Sequence, residues 1–278
     1  MLVARYAYKC STGAFEERVL KNATLGVYDL DDGLPWDDGR LPGLGAWRKR
    51  PFRRDRIALR SAAAATRVIA GNEVLAEWAA QHCRDVRLIP TCVDLGDYDR
   101  KKTYDIGNEA RVLWMGTSAT ESELDSVSDA LVVLNRRTNC QLIVLGSTST
   151  RTSPKLLPYT TRIPWSLASQ RVELANCDVG IMPLRDDRYQ RAKCGYKLLQ
   201  YAAAGLPAVC SPVGVNKQLV ERGVVLAART IDEWSEVLTG LIEASSSERT
   251  LLGHRARHFV AAQYTYDVWR DRWTAAMS

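Results

Sequence analysis

Long hydrophobic runs are missing from this 278-residue chain, and so are the clustered residues most metal and redox sites need. No stretch approaches the roughly 18 consecutive apolar residues of a membrane-spanning helix, and no signal-peptide pattern opens the sequence. The longest small-residue stretch, Ser61 to Ala65, is bounded by Arg60 and Arg67. Histidine is scarce: of the three, His254 and His258 stand four apart but among Arg255 and Arg257, a poor setting for a cation. The seven cysteines (Cys10, Cys83, Cys92, Cys140, Cys177, Cys194, Cys210) show no short paired spacing. An odd number of scattered thiols reads as reduced cysteines of a cytoplasmic protein. No serine sits in a G-x-S-x-G elbow, which removes the simplest nucleophilic hydrolase. Internal repeats and low-complexity tails are absent as well.

What is there is ordinary in amount and uneven in placement. Hydrophobic residues make up 46% of the chain and charged residues 25%, as in a globular protein. The net charge of +6 is concentrated in Trp47 to Arg60, WRKRPFRRDRIALR, where seven arginines and lysines are offset only by Asp55. Such a run is a solvated helix face or loop, or a contact for anionic lipid headgroups or a phosphate-bearing acceptor. It lacks interleaved stacking aromatics, so nucleic acid is not an expected partner.

Short apolar runs alternate with helical patterns, which predicts parallel α/β layers. Strands are expected at Met1–Arg5, Leu25–Asp29, Arg67–Ala70, Val86–Ile89, Val112–Met115, Gln141–Gly146, Val179–Met182, Ala208–Ser211 and Val224–Ala227. Helices are expected at Val74–Cys83, Ser122–Arg136, Leu167–Ala175, Lys197–Ala204, Ile231–Ala244, Ser247–Gln263 and Tyr266–Ala276. The polar stretch Val93 to Glu109 reads as a linker, giving domains of 1–105 and 106–278.

The chemistry concentrates in Ile181 to Asn216, IMPLRDDRYQRAKCGYKLLQYAAAGLPAVCSPVGVN. Arg191, Lys193 and Lys197 bring positive charge to a loop and a helix start, where backbone N–H groups also favour an anion. Lys193, Lys197 and Gln200 are spaced to share a helix face once the helix has begun. Cations for a diphosphate and a hydrogen-bonding side chain for a ribose suit a sugar nucleotide. Asp29, Asp31 and Asp32 in VYDLDD offer an Asp-x-Asp pair of the kind that holds a metal–diphosphate, but the motif ends a strand of the first domain.

This segment resembles the donor-binding region of retaining glycosyltransferases of GT-B architecture, in the branch reading R-x-K-C-G-x-K-x-L-Q-Y-x-A-x-G-x-P followed by S-P-V-G-V-N. Val68 to Asp94 resembles the segment closing their N-terminal domain, and Val112 to Thr120 the first strand and loop of their C-terminal domain. The resemblance implies two Rossmann-like domains, the N-terminal one shortened by its opening βα units and the C-terminal one complete. It implies a metal-independent, cofactor-free sugar transfer from a nucleoside diphosphate to a glycan or lipid-linked acceptor; the thiols place this in the cytoplasm, and the basic run 47–60 adds an expected peripheral contact with an anionic membrane. Lys193 and Lys197 are implied on the diphosphate, with Arg191 nearby, Gly195 allowing close backbone approach and Gln200 on the ribose. The strand-end loops add Gly116, Thr117, Ser118, Gly146, Gly214 and Asn216 to the donor set. Relatives carry a glutamate eight positions before Gln200, where this chain has Ala192. A nucleotide-binding remnant without transfer activity, or one half of a split enzyme, therefore stays open.

Overall fold

The computed structural model describes residues 1–8, 11–37, 53–146 and 153–278. The chain divides into two compact units: Met1–Thr91 with Asp186–Cys194 and Asp267–Ser278, and Cys92–Arg185 with Gly195–Tyr266. The second unit begins at Cys92, ahead of the expected cut near residue 105, because the intervening segment packs into it. Lys101 Nζ donates to Cys177 O at 2.7 Å, and the Tyr104 hydroxyl donates to Gly205 O at 2.8 Å.

The first unit opens with β1 (Leu2–Ala4), α1 (Ala14–Asn22), β2 (Val27–Leu30), α2 (Arg54–Ala64), β3 (Arg67–Ala70), α3 (Glu73–Ala79) and β4 (Val86–Leu88). Its four strands lie parallel in the order β1-β2-β3-β4. Alternation along the strands sends Tyr28, Leu30, Val68 and Ala70 to one face, under α1, α2 and α3, and Val27 and Ile69 to the other. Trp269, Trp273 and Ala276 of the last helix cover that second face, and Arg67 donates to the Ala275 and Ala276 carbonyls at 3.0 and 2.8 Å. Part of the basic run is α2; Arg53, just before it, is held by Asp55 at 2.9 Å, and Arg54 by Asp37 at 3.0 Å. Residues 47–52 of the expected membrane contact, with Arg48, Lys49 and Arg50, lie outside the described residues.

The second unit contains β5 (Ala110–Gly116), α4 (Ser128–Thr138), β6 (Cys140–Gly146), β7 (Thr160–Pro164), α5 (Leu167–Asn176) and β8 (Val179–Met182). After the short α6 (Arg188–Arg191), which belongs to the first unit, follow α7 (Tyr196–Ala204), β9 (Ala208–Cys210), α8 (Val215–Glu221), β10 (Leu226–Ala227), α9 (Ile231–Glu243) and α10 (Ser246–Gln263). The last helix, α11 (Tyr266–Met277), belongs to the first unit from Asp267 onward. The six strands are parallel in the order β10-β9-β8-β5-β6-β7. Val112 and Trp114 of β5 face α4 and α9, while Leu113 and Met115 face α7 and α10. Burial on both faces is what the near-continuous apolar runs of β5 and β6 require.

Candidate donor site of the second unit

The strand order reverses at β5: the chain moves to β6 on one side and later returns to β8 on the other. In open parallel sheets a crevice for ligands forms at such a switch, beyond the carboxyl ends of the strands. Here a side chain stands between the two strands. β5 and β8 pair only at Val112–Val179 and Leu113–Gly180, although β5 runs on to Gly116. The fully buried Tyr201, reaching from α7, puts its hydroxyl between the diverging strands, where it accepts from Met115 N–H at 3.3 Å and donates to Ile181 O at 3.1 Å. Gly180 makes room for the ring, since a Cβ there would fall 2.7 Å from it.

Lys197, in the first turn of α7, lies at this opening. Its Nζ is 3.2 Å from Glu123 Oε2 and sits 4.5 Å from the centre of the Trp114 ring. Glu123 belongs to the 3-10 helix Glu121–Val127 that follows the β5 loop. In the same helix Glu121 pairs with Arg162 of β7. The switch point of the second unit thus carries two cations, each partnered by a carboxylate.

The other expected donor residues fall into distinct groups. Gly195 caps α7 at φ 68°, a left-handed conformation that glycine adopts without strain. This turn ends the preceding segment, so Lys193 is not on α7 and the expected three-residue face reduces to Lys197 and Gln200. Lys193 belongs to the first unit, where its Nζ lies 3.8 Å from Asp32 Oδ1 and 5.1 Å from the centre of the Tyr189 ring. Arg191, also in the first unit, is exposed and bonded to Asp186 at 2.5 Å. Gln200 is 7% exposed and donates at 3.4 Å to both the Tyr98 hydroxyl and Gln170 Oε1, which also accepts from Trp165 Nε1 at 2.9 Å.

Gly116 and Gly146 are register partners at the ends of β5 and β6. Packing accounts for Gly146: a Cβ there would come within 1.9 Å of the Gly116 carbonyl oxygen. Thr117 closes a turn, its carbonyl accepting from Thr120 N at 3.0 Å, with Ser118 half-buried beside it. Beyond β9, Ser211 Oγ accepts from Leu184 N at 3.0 Å and Ser211 O accepts from Asn216 Nδ2 at 3.1 Å. Those bonds sew the loops after β8 and β9 together, with Gly214 as the hinge before α8.

In the first unit, the Asp-x-Asp carboxylates are taken up by cations. Arg5 binds Asp31 through two bonds of 2.6 and 2.9 Å and lies 4.0 Å from Asp32. Burial, reinforced by the neighbouring Asp31 charge, pushes the Asp29 carboxyl up to about 6. No group of three metal-ligating side chains occurs among the described residues. Cys194 is a packing residue: Asn72 Nδ2 approaches its sulfur at 3.3 Å, Gly71 leaves it space, and burial pushes its thiol up to about 12. Six of the cysteines are free and buried. Among the described residues no helix is long and apolar enough to cross a membrane. Glu123 carries no signal in the one-dimensional pattern that would mark it as part of a site; Tyr201 falls within the R-x-K-C-G-x-K-x-L-Q-Y pattern, but its role as a bridge comes from the strand divergence.

The two parallel α/β units with this switch point have the Rossmann-like fold of the GT-B architecture. Residues 109–244, just under half of the chain, match the family described as Glycosyl transferases group 1. No curated protein matches the sequence. Among solved structures, TarM from S. aureus aligns with a TM-score of 0.70 at 11% identity, over 99% of this chain and 54% of that one. HepE of Anabaena, in complex with UDP and glucose, aligns at 0.67 and 15% identity, over 90% and 70% of the two chains. WaaG, a glycosyltransferase involved in lipopolysaccharide biosynthesis, aligns at 0.62 and 16%, over 92% and 75%. The chain therefore spans about half the length of TarM, and these likenesses concern the fold.

Proposed function

We propose that this protein is a glycosyltransferase that takes a sugar from a nucleoside diphosphate and binds that donor at the carboxyl edge of the second unit's sheet. The observation that carries the proposal is Lys197, set at the α7 start beside strands that Tyr201 bridges. The family match over 109–244 and the UDP and glucose bound by HepE support it. As the glycosidic bond breaks, negative charge builds on the departing diphosphate, and a cation already in place stabilises it without reorganising. The Lys197 ammonium has three donors, so it can hold Glu123 and still meet a phosphate oxygen. Gly195, Thr117, Ser118, Gly214 and Asn216 are assigned to the loops around the donor, and Gln200 to the wall behind the ribose.

Transfer with retention of configuration, without metal or cofactor, to a glycan or lipid-linked acceptor at the cytoplasmic membrane face is the finer form of this proposal. TarM bound to UDP and alpha-GlcNAc-glycerol, and WaaG in lipopolysaccharide assembly, support that class of acceptor. The acceptor is assigned to the first unit, whose strands β1 and β2 lead into Arg5, Asp31 and Asp32.

One observation favours a second reading, a donor-binding chain that does not catalyse transfer by itself. Ala192 is buried in the first unit's core and Gln200 is engaged inside the second, so neither position offers a carboxylate to a donor. A thermal-shift series with UDP, GDP, ADP, dTDP and CDP, followed by measurement of sugar release from the matching nucleotide sugar, separates the readings. Binding with turnover supports the transferase, and binding without turnover supports the second reading. A melting temperature unmoved by every nucleotide contradicts both.

A further inference from the structure

Glu123 is 6% exposed, and only one of its oxygens has a partner. Oε2 holds Lys197, while Oε1 is buried and accepts no hydrogen bond among the described residues. The indole N–H of Trp114, whose ring lies under the Lys197 ammonium, is likewise buried without an acceptor among the described residues. A buried carboxylate oxygen left bare forfeits its hydration without replacement, so a folded protein retains one where something else completes it. Whatever completes it must donate a proton and tolerate a neighbouring ammonium. A hydroxyl attached close to a phosphate meets both conditions. A nucleotide sugar has such hydroxyls on either side of its diphosphate, on the ribose and on the transferred sugar.

We infer that Glu123 is a donor-recognition residue: with Oε2 fixed by Lys197, its Oε1 accepts a hydroxyl of the nucleotide sugar next to the diphosphate. The inference rests on the donor placement proposed above and adds what that placement lacks, a carboxylate for hydroxyl recognition. Positions 192 and 200 supply none, being alanine and glutamine. The carboxylate comes instead from the helix after β5, and the salt bridge to Lys197 sets its orientation. The same bridge spaces the negative charge of Glu123 from the phosphates, since the ammonium stands between them.

The test is calorimetric titration of wild type, Glu123→Gln and Glu123→Asp with UDP, 2′-deoxy-UDP and UDP-glucose, or the matched trio for whichever base the nucleotide series selects. Gln keeps the size of the side chain and removes its charge, and melting of the unliganded variants checks that they fold. If the hydroxyl is on the ribose, Glu123→Gln loses about tenfold or more in UDP affinity, with 2′-deoxy-UDP unchanged for the 2′-hydroxyl and equally weakened for the 3′-hydroxyl. If it is on the transferred sugar, UDP is unchanged and UDP-glucose loses about tenfold or more. Either pattern supports the inference. All three ligands binding a folded Glu123→Gln within about twofold of wild type would overturn it and leave the donor site standing. A wild type that binds none of them would overturn the donor placement, and the inference with it.

Discussion

Replacing Tyr201 with phenylalanine removes one oxygen and tests how the switch point is built. The ring is fully buried and its space is kept, so no cavity term enters. What is lost is the acceptor for Met115 N–H at 3.3 Å and the donor to Ile181 O at 3.1 Å. Beyond Leu113–Gly180 the strands do not pair, so neither group finds a replacement on the neighbouring strand. A buried backbone group without a partner costs about 1–3 kcal/mol, and the bond to Met115 is long, so the expected loss is about 2 kcal/mol. For a unit of this size that corresponds to a fall of roughly 4–8 °C in Tm. Hydrogen exchange supplies a local readout: the Met115 amide should exchange faster, while Leu113, inside the paired part of β5, keeps its protection. A Tyr201→Phe protein melting within about 1 °C of wild type, with Met115 still protected, would refute the reasoning. The strands would then be closing on their own.

Other expectations follow from single contacts. Asp29→Asn should abolish a loss of stability that the wild type suffers between about pH 4 and pH 6. The carboxyl is raised from 3.8 to about 6, so its contribution is complete below about pH 4 and is lost as pH rises through 6. At pH 7 the variant should therefore be more stable, by at most about 3 kcal/mol; equal denaturant midpoints at pH 4 and 7 in both proteins would contradict this. Gly146→Ala should cost about 3 kcal/mol or more, or prevent folding, because its Cβ would meet the Gly116 carbonyl at 1.9 Å. A variant as stable as wild type in urea would show that the strand ends can part. Cys194, buried and with its thiol raised to about 12, should resist aromatic disulfide reagents in the native protein and react only on unfolding. Fast modification by mass spectrometry would contradict its packed position.

Much of the fold is legible in the sequence because burial on both faces leaves uninterrupted apolar runs. Arg67–Ala70 and Val179–Met182 are found where the runs predict them, and β5 and β6 only extend theirs by a residue or two. β7 is not legible: Thr160–Pro164 is an edge strand, polar and half-exposed, ending in a proline. The helix expected over Ser122–Arg136 breaks into a 3-10 segment and α4, and that break is what brings Glu123 to Lys197. Helices α1 and α2 are not legible, because charged residues in AFEERVLKN and small alanines in RDRIALRSAAA blur the apolar period. The site was visible as a cluster of cations and glycines around α7. Its inner structure was not, because the Tyr201 bridge, the turn at Gly195 and the Glu123 carboxylate depend on contacts between residues far apart in the chain.

The central claim is that Lys197 receives the donor diphosphate, and calorimetric titration of wild type and Lys197→Ala with the nucleoside diphosphates tests it most directly. One base should bind wild type selectively. The variant should lose about 1.5–3 kcal/mol, or roughly 10- to 150-fold in Kd, as expected for a charge-assisted contact. Equal affinity in a folded Lys197→Ala protein would contradict the account and remove the diphosphate from this switch point.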